Sequence, residues 1–525
     1  MAEPVLINGE WKQANASSTF QSFNPNTTEP IPFEFPVSSW SDCDEALSAA
    51  AAAASELRTL SGSQIAAFLR AFADRIEARA DQLVEAAHQE TALPKSPRLA
   101  DVELPRTTNQ LRLAAQAAEE GSWRQATIDT KAGIRSVYEA IGPVAVFGPN
   151  NFPFAFGSVS GGDFAAAIAA GNPVIGKANS SHPRTTQLFA EAALEAIQAT
   201  DVPAATVQLI YRTSHADGER LVADNRLGAV GYTGSRSAGL KLKAAADVVG
   251  KPIYLELSSV NPVVILPGAL NERLDELVDE FCTSGLMGAG QFCTNPGLLV
   301  LCQGAETDAF LQKVAERYGS SAAGTLLSQG VQKSLGQSVQ TLQAAGAETV
   351  VGSAKPESNR FACENTLLKV TADAFLARPE QLQTEAFGNC SLVLIANDVS
   401  QVGQVVQHLE GNLTGCIYSA TNGTDDAAYN QIAPALRQKV GRLLNDKMPT
   451  GVAVSMAMNH GGPFPATGHP GFTAVGIPAS IHRFAVLACY DNVRSHRLPN
   501  CLQDKNPNGK MWRYVDGQWT TGNIG

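Results

Sequence analysis

The 525-residue chain contains no run of about 18 consecutive apolar residues, which excludes a membrane-spanning helix. Residues 1–8 lack a basic start followed by a long apolar stretch, so no targeting segment is read there. Positive charge is in deficit: 39 Lys and Arg stand against 50 Asp and Glu, a net charge of −11. Nucleic acids and anionic membranes both require a basic face, so neither is expected as a partner. The nine cysteines form no C-x-x-C pair, and the eight histidines are equally dispersed. That pattern reads as reduced thiols in the cytoplasm, with no metal site at ligand spacing. Two fingerprints are also missing. Without G-x-G-x-x-G no standard dinucleotide-binding turn can be claimed, and without G-x-S-x-G no hydrolase elbow.

What remains is an ordinary globular composition, 44% hydrophobic and 17% charged. The length exceeds what one hydrophobic core organises, so two or more domains are expected. The first 40 residues, rich in Pro, Asn, Ser and Thr, read as an extended lead-in over the surface. An Ala-rich helical region follows, broken at Ser61-Gly62-Ser63, after which Ile65, Phe68, Leu69, Phe72 and Ile76 recur at helical spacing. Apolar strand candidates then lie at 142–147, 173–176, 206–211, 227–232, 252–257 and 262–266, mostly separated by helical stretches. That alternation predicts β-α-β units and a parallel sheet, with a second set starting near Gly297. Residues 125–138 alternate like a strand but have no helix beside them.

The most informative segment is Gly290-Gln291-Phe292-Cys293-Thr294-Asn295. It places a cysteine after a glycine-rich lead-in, at a turn where backbone can approach a ligand closely. A packing thiol belongs in a periodic apolar pattern instead. Alone, such a cysteine more often packs than reacts, but four other segments keep it company. Gly148-Pro149-Asn150-Asn151-Phe152-Pro153 follows one strand candidate and Gly231-Tyr232-Thr233-Gly234-Ser235 ends another. Leu255-Glu256-Leu257-Ser258 sets a carboxylate in an apolar run, and Glu385-Ala386-Phe387-Gly388 comes later.

In order and spacing these segments resemble the NAD(P)-dependent aldehyde dehydrogenase superfamily. The resemblance implies an α/β fold with a Rossmann-like cofactor domain (1–124 and 143–255) and an α/β catalytic domain (256–465). An oligomerisation arm with the C-terminal segment (125–142 and 466–525) would join chains into a homodimer or homotetramer. It also assigns roles. Cys293 would attack the aldehyde, and Asn151 with the Cys293 backbone N–H would hold the developing oxyanion, one such donor being worth about 2.7–4 kcal/mol. Glu256, partly desolvated between Leu255 and Leu257, would activate water to cleave the thioester. Lys177 would reach the adenosine ribose, Gly234 and Ser235 would open a phosphate-binding helix, and Leu257, Glu385 and Phe387 would line the nicotinamide end. Two positions depart from the family pattern. Asn150 replaces an aromatic residue, and Ser258-Ser259-Val260 replaces Gly-Gly-Lys.

Within the superfamily, segment 290–297 and His460-Gly461-Gly462-Pro463-Phe464-Pro465-Ala466-Thr467 resemble the α-ketoglutaric semialdehyde dehydrogenase branch, with long-chain aldehyde dehydrogenases as the alternative. The expected substrate is thus a short aldehyde with a distal carboxylate. Phe154, Phe156, Phe292 and Phe464 would form its channel, and Arg106, Arg112 and Ser158 are candidates for the carboxylate. NADP is expected over NAD, which remains possible. NAD-preferring relatives place a Glu where Ser180 stands, and Arg212 falls where a 2′-phosphate would lie. Three other classes are weaker. Gly171-Asn172-Pro173-Val174-Ile175-Gly176-Lys177 mimics a triphosphate loop but fails at Ala178, where magnesium needs a hydroxyl. A non-enzymatic member of the fold is disfavoured by the intact Asn151, Glu256, Cys293 and Glu385. A hydrolase lacks its nucleophile motif.

Overall fold

Prolines punctuate the strands of the first sheet. Pro143, Pro173 and Pro252 directly precede Val144–Phe147, Val174–Lys177 and Ile253–Glu256, because a residue without an N–H cannot donate to the ladder. These strands therefore start one or two residues later than the apolar runs suggest. The computed structural model describes residues 2–356 and 359–525. Its first seven-stranded sheet runs Ile253–Glu256, Ala229–Thr233, Val144–Phe147, Val174–Lys177, Val207–Ile210, Val5–Ile7, Glu10–Lys12. The first five are parallel, Val5–Ile7 runs antiparallel to them, and Glu10–Lys12 runs antiparallel to Val5–Ile7. Strand order reverses at Val144–Phe147: the next two strands extend to one side, and Ala229–Thr233 pairs on the other. Crevices at such reversals, outside the carboxyl ends of the strands, are where open α/β sheets bind ligands. The loop at Asn151 and the turn at Gly234-Ser235 leave the two strands flanking this one.

The lead-in is not merely superficial. Val5, Leu6 and Ile7 are fully buried and add a strand to this sheet, a role the surrounding Pro, Asn and Ser disguised. Helix Gly62–Ala78 carries the expected face, with Ile65, Phe68, Leu69, Phe72 and Ile76 all buried. Ser61 caps it: its hydroxyl accepts from Gln64 N–H and the Gln64 side chain accepts from Ser61 N–H. Helix Leu104–Glu120 packs beside it.

A second seven-stranded sheet runs Glu348–Val351, Thr366–Thr371, Cys390–Ala396, Leu298–Cys302, Val263–Ile265, Asn412–Tyr418, Val440–Asn445, parallel except for its first pair. The segment at 125–138 is a hairpin, not one strand: Thr127–Asp129 turns into Ile134–Ala140. It joins Ala485–Asp491 on one side and the C-terminal strands Arg513–Val515 and Gln518–Thr520 on the other, forming a five-stranded sheet. No helix among the described residues is long and apolar enough to cross a membrane.

Candidate active site

The backbone before Cys293 takes a path that side chains resist. Gly288, Ala289 and Gly290 all have positive φ, and a Cβ at Gly290 would lie 2.0 Å from the Gly388 carbonyl oxygen. Only glycine allows that approach, which brings the Cys293 loop against the loop carrying Glu385 and Phe387. The Asn261 amide then fixes the loop from behind, donating to the Cys293 oxygen at 2.8 Å and the Asn295 oxygen at 2.9 Å.

Glu256 ends the edge strand of the first sheet and is 1% exposed. Between it and Cys293 stands a residue to which the sequence reading gave no role. His460 Nε2 lies 3.0 Å from Glu256 Oε1 and 3.5 Å from Cys293 Sγ. The tight chain path after His460 explains the two glycines there. A Cβ on Gly461 would sit 2.1 Å from the Phe472 oxygen and one on Gly462 2.2 Å from the Asn412 oxygen. Beyond them the chain pairs with the Glu256 strand, through Leu257 N–H to the Ala466 oxygen at 2.8 Å and Gly468 N–H to the Leu255 oxygen at 2.9 Å. A lone histidine 167 residues from the cysteine carries no spacing signal; only the unusual His-Gly-Gly-Pro-Phe-Pro string marked it. Burial, then the charge of Glu256, pushes the Cys293 thiol well above its ordinary value, while Arg106 opposes the shift.

Asn151 is buried and donates from Nδ2 to the Gln291 oxygen at 3.0 Å, which ties it to the Cys293 loop. Its own loop is braced by a part-buried ion pair. Glu103 accepts from the N–H groups of Phe154 (2.8 Å) and Ala155 (3.0 Å) and pairs with Arg98 at 2.5 Å, while Arg98 donates to the Asn151 oxygen.

Phe152, Phe156 and Phe292 form an aromatic wall, with ring centroids 5.3 and 5.6 Å apart, and Phe156 lies 5.6 Å from the His460 ring. Two guanidinium groups stand over this wall, Arg98 at 4.2 Å from Phe152 and Arg106 at 5.2 Å from Phe156. Arg106 Nη1 donates to the Val452 oxygen at 2.7 Å, whereas its Nε and Nη2 are buried without a partner. Other residues expected here lie elsewhere. Phe464 is 57% exposed, beneath the Arg236 guanidinium. Phe154 packs on Phe189 in the core. Arg112 is exposed and paired with Glu77 and Asp74, since it lies on the outer face of its helix. Ser158 backs onto Gly148 and Gly176 with its hydroxyl buried and unpaired.

Most residues expected to meet a cofactor follow the carboxyl ends of the first sheet's strands, whereas Glu385 and Phe387 lie in the loop before strand Cys390–Ala396 of the second sheet. Burial and then the charge of nearby Arg212 push Lys177 down to about 8. Ser180 is half-buried and Arg212 exposed. Ser235 caps helix Arg236–Val248 in extended geometry without using its side chain for the cap, so the hydroxyl and the first N–H groups can serve a phosphate. Leu257 packs against Gly239 of that helix. Burial raises Glu385 to about 7, against hydrogen bonds from Ser259 N–H and the Ser258 hydroxyl. The Ser-Ser pair, which departs from the family pattern, shares a cavity lining with Glu385. Glu385, Ser258 and Arg236 line a cavity of about 260 Å³, and Phe387 lines a neighbouring one with Phe292 and Ser259.

Comparisons with known proteins agree with this layout. The profile of the aldehyde dehydrogenase family matches residues 11–462. The chain is 38% identical to alpha-ketoglutaric semialdehyde dehydrogenase 2 of Azospirillum brasilense, over 96% of this chain and 97% of that one. It is 36% identical to alpha-ketoglutaric semialdehyde dehydrogenase of Acinetobacter baylyi, over 96% of each. Among solved structures, an aldehyde dehydrogenase of Pseudomonas syringae in complex with NAD+ and octanal superimposes with a TM-score of 0.78 at 18% identity, covering 94% of this chain and 97% of that one. At that identity the likeness concerns the fold.

Proposed function

The chain belongs to the aldehyde dehydrogenase family, NAD(P)-dependent oxidoreductases acting on aldehydes, and from that premise we propose that it oxidises 2,5-dioxopentanoate (α-ketoglutaric semialdehyde) to 2-oxoglutarate with NADP. The observation that carries the substrate reading is Arg106, whose buried unpaired donors face the aromatic wall beside His460. A buried guanidinium with free N–H groups calls for an anion, and a distal carboxylate would supply it. The names of the two relatives support the same substrate. A second reading, oxidation of uncharged aliphatic aldehydes, draws on the aromatic wall alone.

Cys293 adds to the aldehyde carbon as its thiol proton passes to Nε2 of His460, and Glu256 Oε1 receives the resulting N–H. Asn151 and the Cys293 N–H hold the oxyanion. A bound nicotinamide cofactor would supply the hydride acceptor, and Cys293 would then carry the acyl group as a thioester. Glu256, acting with His460, takes a proton from water to cleave it. Over the cycle, aldehyde, water and NADP+ give carboxylate, NADPH and two protons. The residues fit that cofactor: Lys177 and Arg212 form a cationic pair where a 2′-phosphate would lie, Ser180 adds a hydroxyl without a competing carboxylate, and Gly234-Ser235 opens a phosphate-binding helix. Glu385, Phe387 and Leu257 line the nicotinamide end.

The expected division into a cofactor domain, a catalytic domain and an arm sheet suits these roles. Val486, Leu487, Trp512 and Trp519, each about half exposed or more on the arm sheet and its flank, support a homodimer or homotetramer through this surface. Cys43, Cys282, Cys293, Cys302, Cys390, Cys416, Cys489 and Cys501 form no disulfide, which suits a cytoplasmic enzyme. Steady-state kcat/KM for the dioxo acid, glutaraldehyde, hexanal and a long-chain aldehyde with each cofactor tests the reading. Preference for the dioxo acid supports it, and preference for hexanal or longer uncharged chains overturns the substrate assignment.

A further inference from the structure

We propose that Glu256, Cys293 and His460 form a binding site for a borderline-soft divalent cation, zinc foremost, and that its occupancy arrests the enzyme reversibly. A sulfur, a ring nitrogen and a carboxylate oxygen from these residues lie within 4.8 Å of one another. These are donors that zinc takes in proteins. Two of the three separations also suit the ion. With bonds of about 2.3 Å to sulfur and about 2.05 Å to nitrogen, a tetrahedral centre holds those two atoms about 3.6 Å apart. Cys293 Sγ and His460 Nε2 are 3.5 Å apart. The 3.0 Å between Nε2 and Glu256 Oε1 corresponds to an angle at zinc of about 95°, a narrowing of about 15° from tetrahedral.

Proton accounting points the same way. Nε2 of His460 faces both Sγ and Oε1, and a ring nitrogen carries at most one proton. Nε2 therefore donates to at most one of these two neighbours. Oε2 of Glu256 is buried without any partner, so the carboxylate has an unfilled lone-pair site beside the cluster, and a dication held through Oε1 would offset its charge. On binding, the Cys293 thiol releases its proton to solvent, His460 coordinates as neutral imidazole and Glu256 as carboxylate. The +2 charge is balanced by one thiolate and one carboxylate, no electrons move, and the buried set becomes neutral. The fourth position stays open to water, and the thiolate lone pair, held in the metal bond, no longer adds to a carbonyl.

Sequence spacing predicted no metal site because these donors are far apart along the chain; folding brings together the end of the first sheet, the Cys293 loop and the glycine-bound turn at His460. The inhibitory consequence rests on Cys293 being the nucleophile, whereas binding itself does not.

The test is titration of the full-length enzyme with Co(II), followed by Zn(II), reading absorbance and hydride formation. The expected result is one equivalent of Co(II) showing a thiolate-to-metal charge-transfer band and intensified tetrahedral d–d bands. Zinc should displace it and abolish turnover, and a chelator should restore activity. Cys293→Ser should lose the charge-transfer band, and His460→Ala should weaken Co(II) binding at least about tenfold. A band that persists in Cys293→Ser, or none in the wild-type protein, overturns the proposal. If the band depends on Cys293 while aldehyde oxidation survives its loss, the metal site stands and the catalytic assignment falls.

Discussion

Replacing His460 with alanine isolates the contact between Cys293 and its proton acceptor. A free thiol, with a pKa of about 8.5, is only a few per cent ionised at neutral pH. In this protein burial and Glu256 push the Cys293 thiol well above that range, and every further pH-unit of increase removes about tenfold more thiolate. In the proposed mechanism His460 Nε2, 3.5 Å from Sγ, removes the need for a standing thiolate by taking the proton as the carbon–sulfur bond forms. A positioned base of this kind contributes about 10²–10⁴-fold. His460→Ala should therefore slow hydride formation in a single turnover by about 10²-fold or more at neutral pH, with little change in cofactor affinity. The sign of the pH response follows from the upward shift: the thiolate is the minor form, so the variant's rate should climb about tenfold per pH unit well into the alkaline range. Wild-type enzyme should level off earlier. Stopped-flow nicotinamide absorbance across a pH series reads both. A variant within about threefold of wild type, with the same pH profile, would refute the role of His460.

Other consequences follow from neighbouring residues. Arg106→Met should lower kcat/KM for the dioxo acid at least about 30-fold, because truncating one side of a buried charge pair costs about 2–5 kcal/mol, and leave hexanal nearly unchanged. Equal losses on both substrates would assign Arg106 to structure alone. Arg212→Ala should erode the NADP+ preference; since Arg212 helps push Lys177 down to about 8, NADP+ binding to wild type should weaken as pH rises through that value, and at higher pH in the variant. An unchanged NADP+/NAD+ ratio would remove Arg212 from the site. Glu256→Gln should preserve much of the first hydride transfer while steady-state turnover collapses; parallel loss of both phases would place the carboxylate before hydride transfer.

Much of this arrangement was legible in the chain because local chemistry carried it. Short apolar runs after Pro143, Pro173 and Pro252 marked the parallel strands, and the glycines before Cys293 marked a backbone approach that Gly290 makes against Gly388. The departures have physical reasons. Val5, Leu6 and Ile7 are only three residues in a polar lead-in, and their burial depends on a sheet edge some 200 residues away, since Leu6 pairs with Leu209. Phe464 looked like channel lining because it neighbours the His-Gly-Gly turn, yet backbone pairing with Gly411 turns it outward over Arg236. Arg106 and Arg112 share one helix, but six residues separate them by nearly two turns on different faces, so one meets the aromatic wall and the other meets Glu77. The His-Gly-Gly-Pro-Phe-Pro string marked the His460 segment but not a role for the histidine, because that role comes from two partners on distant strands and loops.

The most direct test traps the covalent intermediate. Glu256→Gln enzyme is mixed with NADP+ and 2,5-dioxopentanoate, quenched in acid after one turnover, and analysed by peptide mass spectrometry. The account predicts stoichiometric NADPH and a 2-oxoglutaryl thioester on the peptide bearing Cys293. NADPH formation with Cys293 unmodified, or with the acyl group on Cys282 or Cys302, would contradict it.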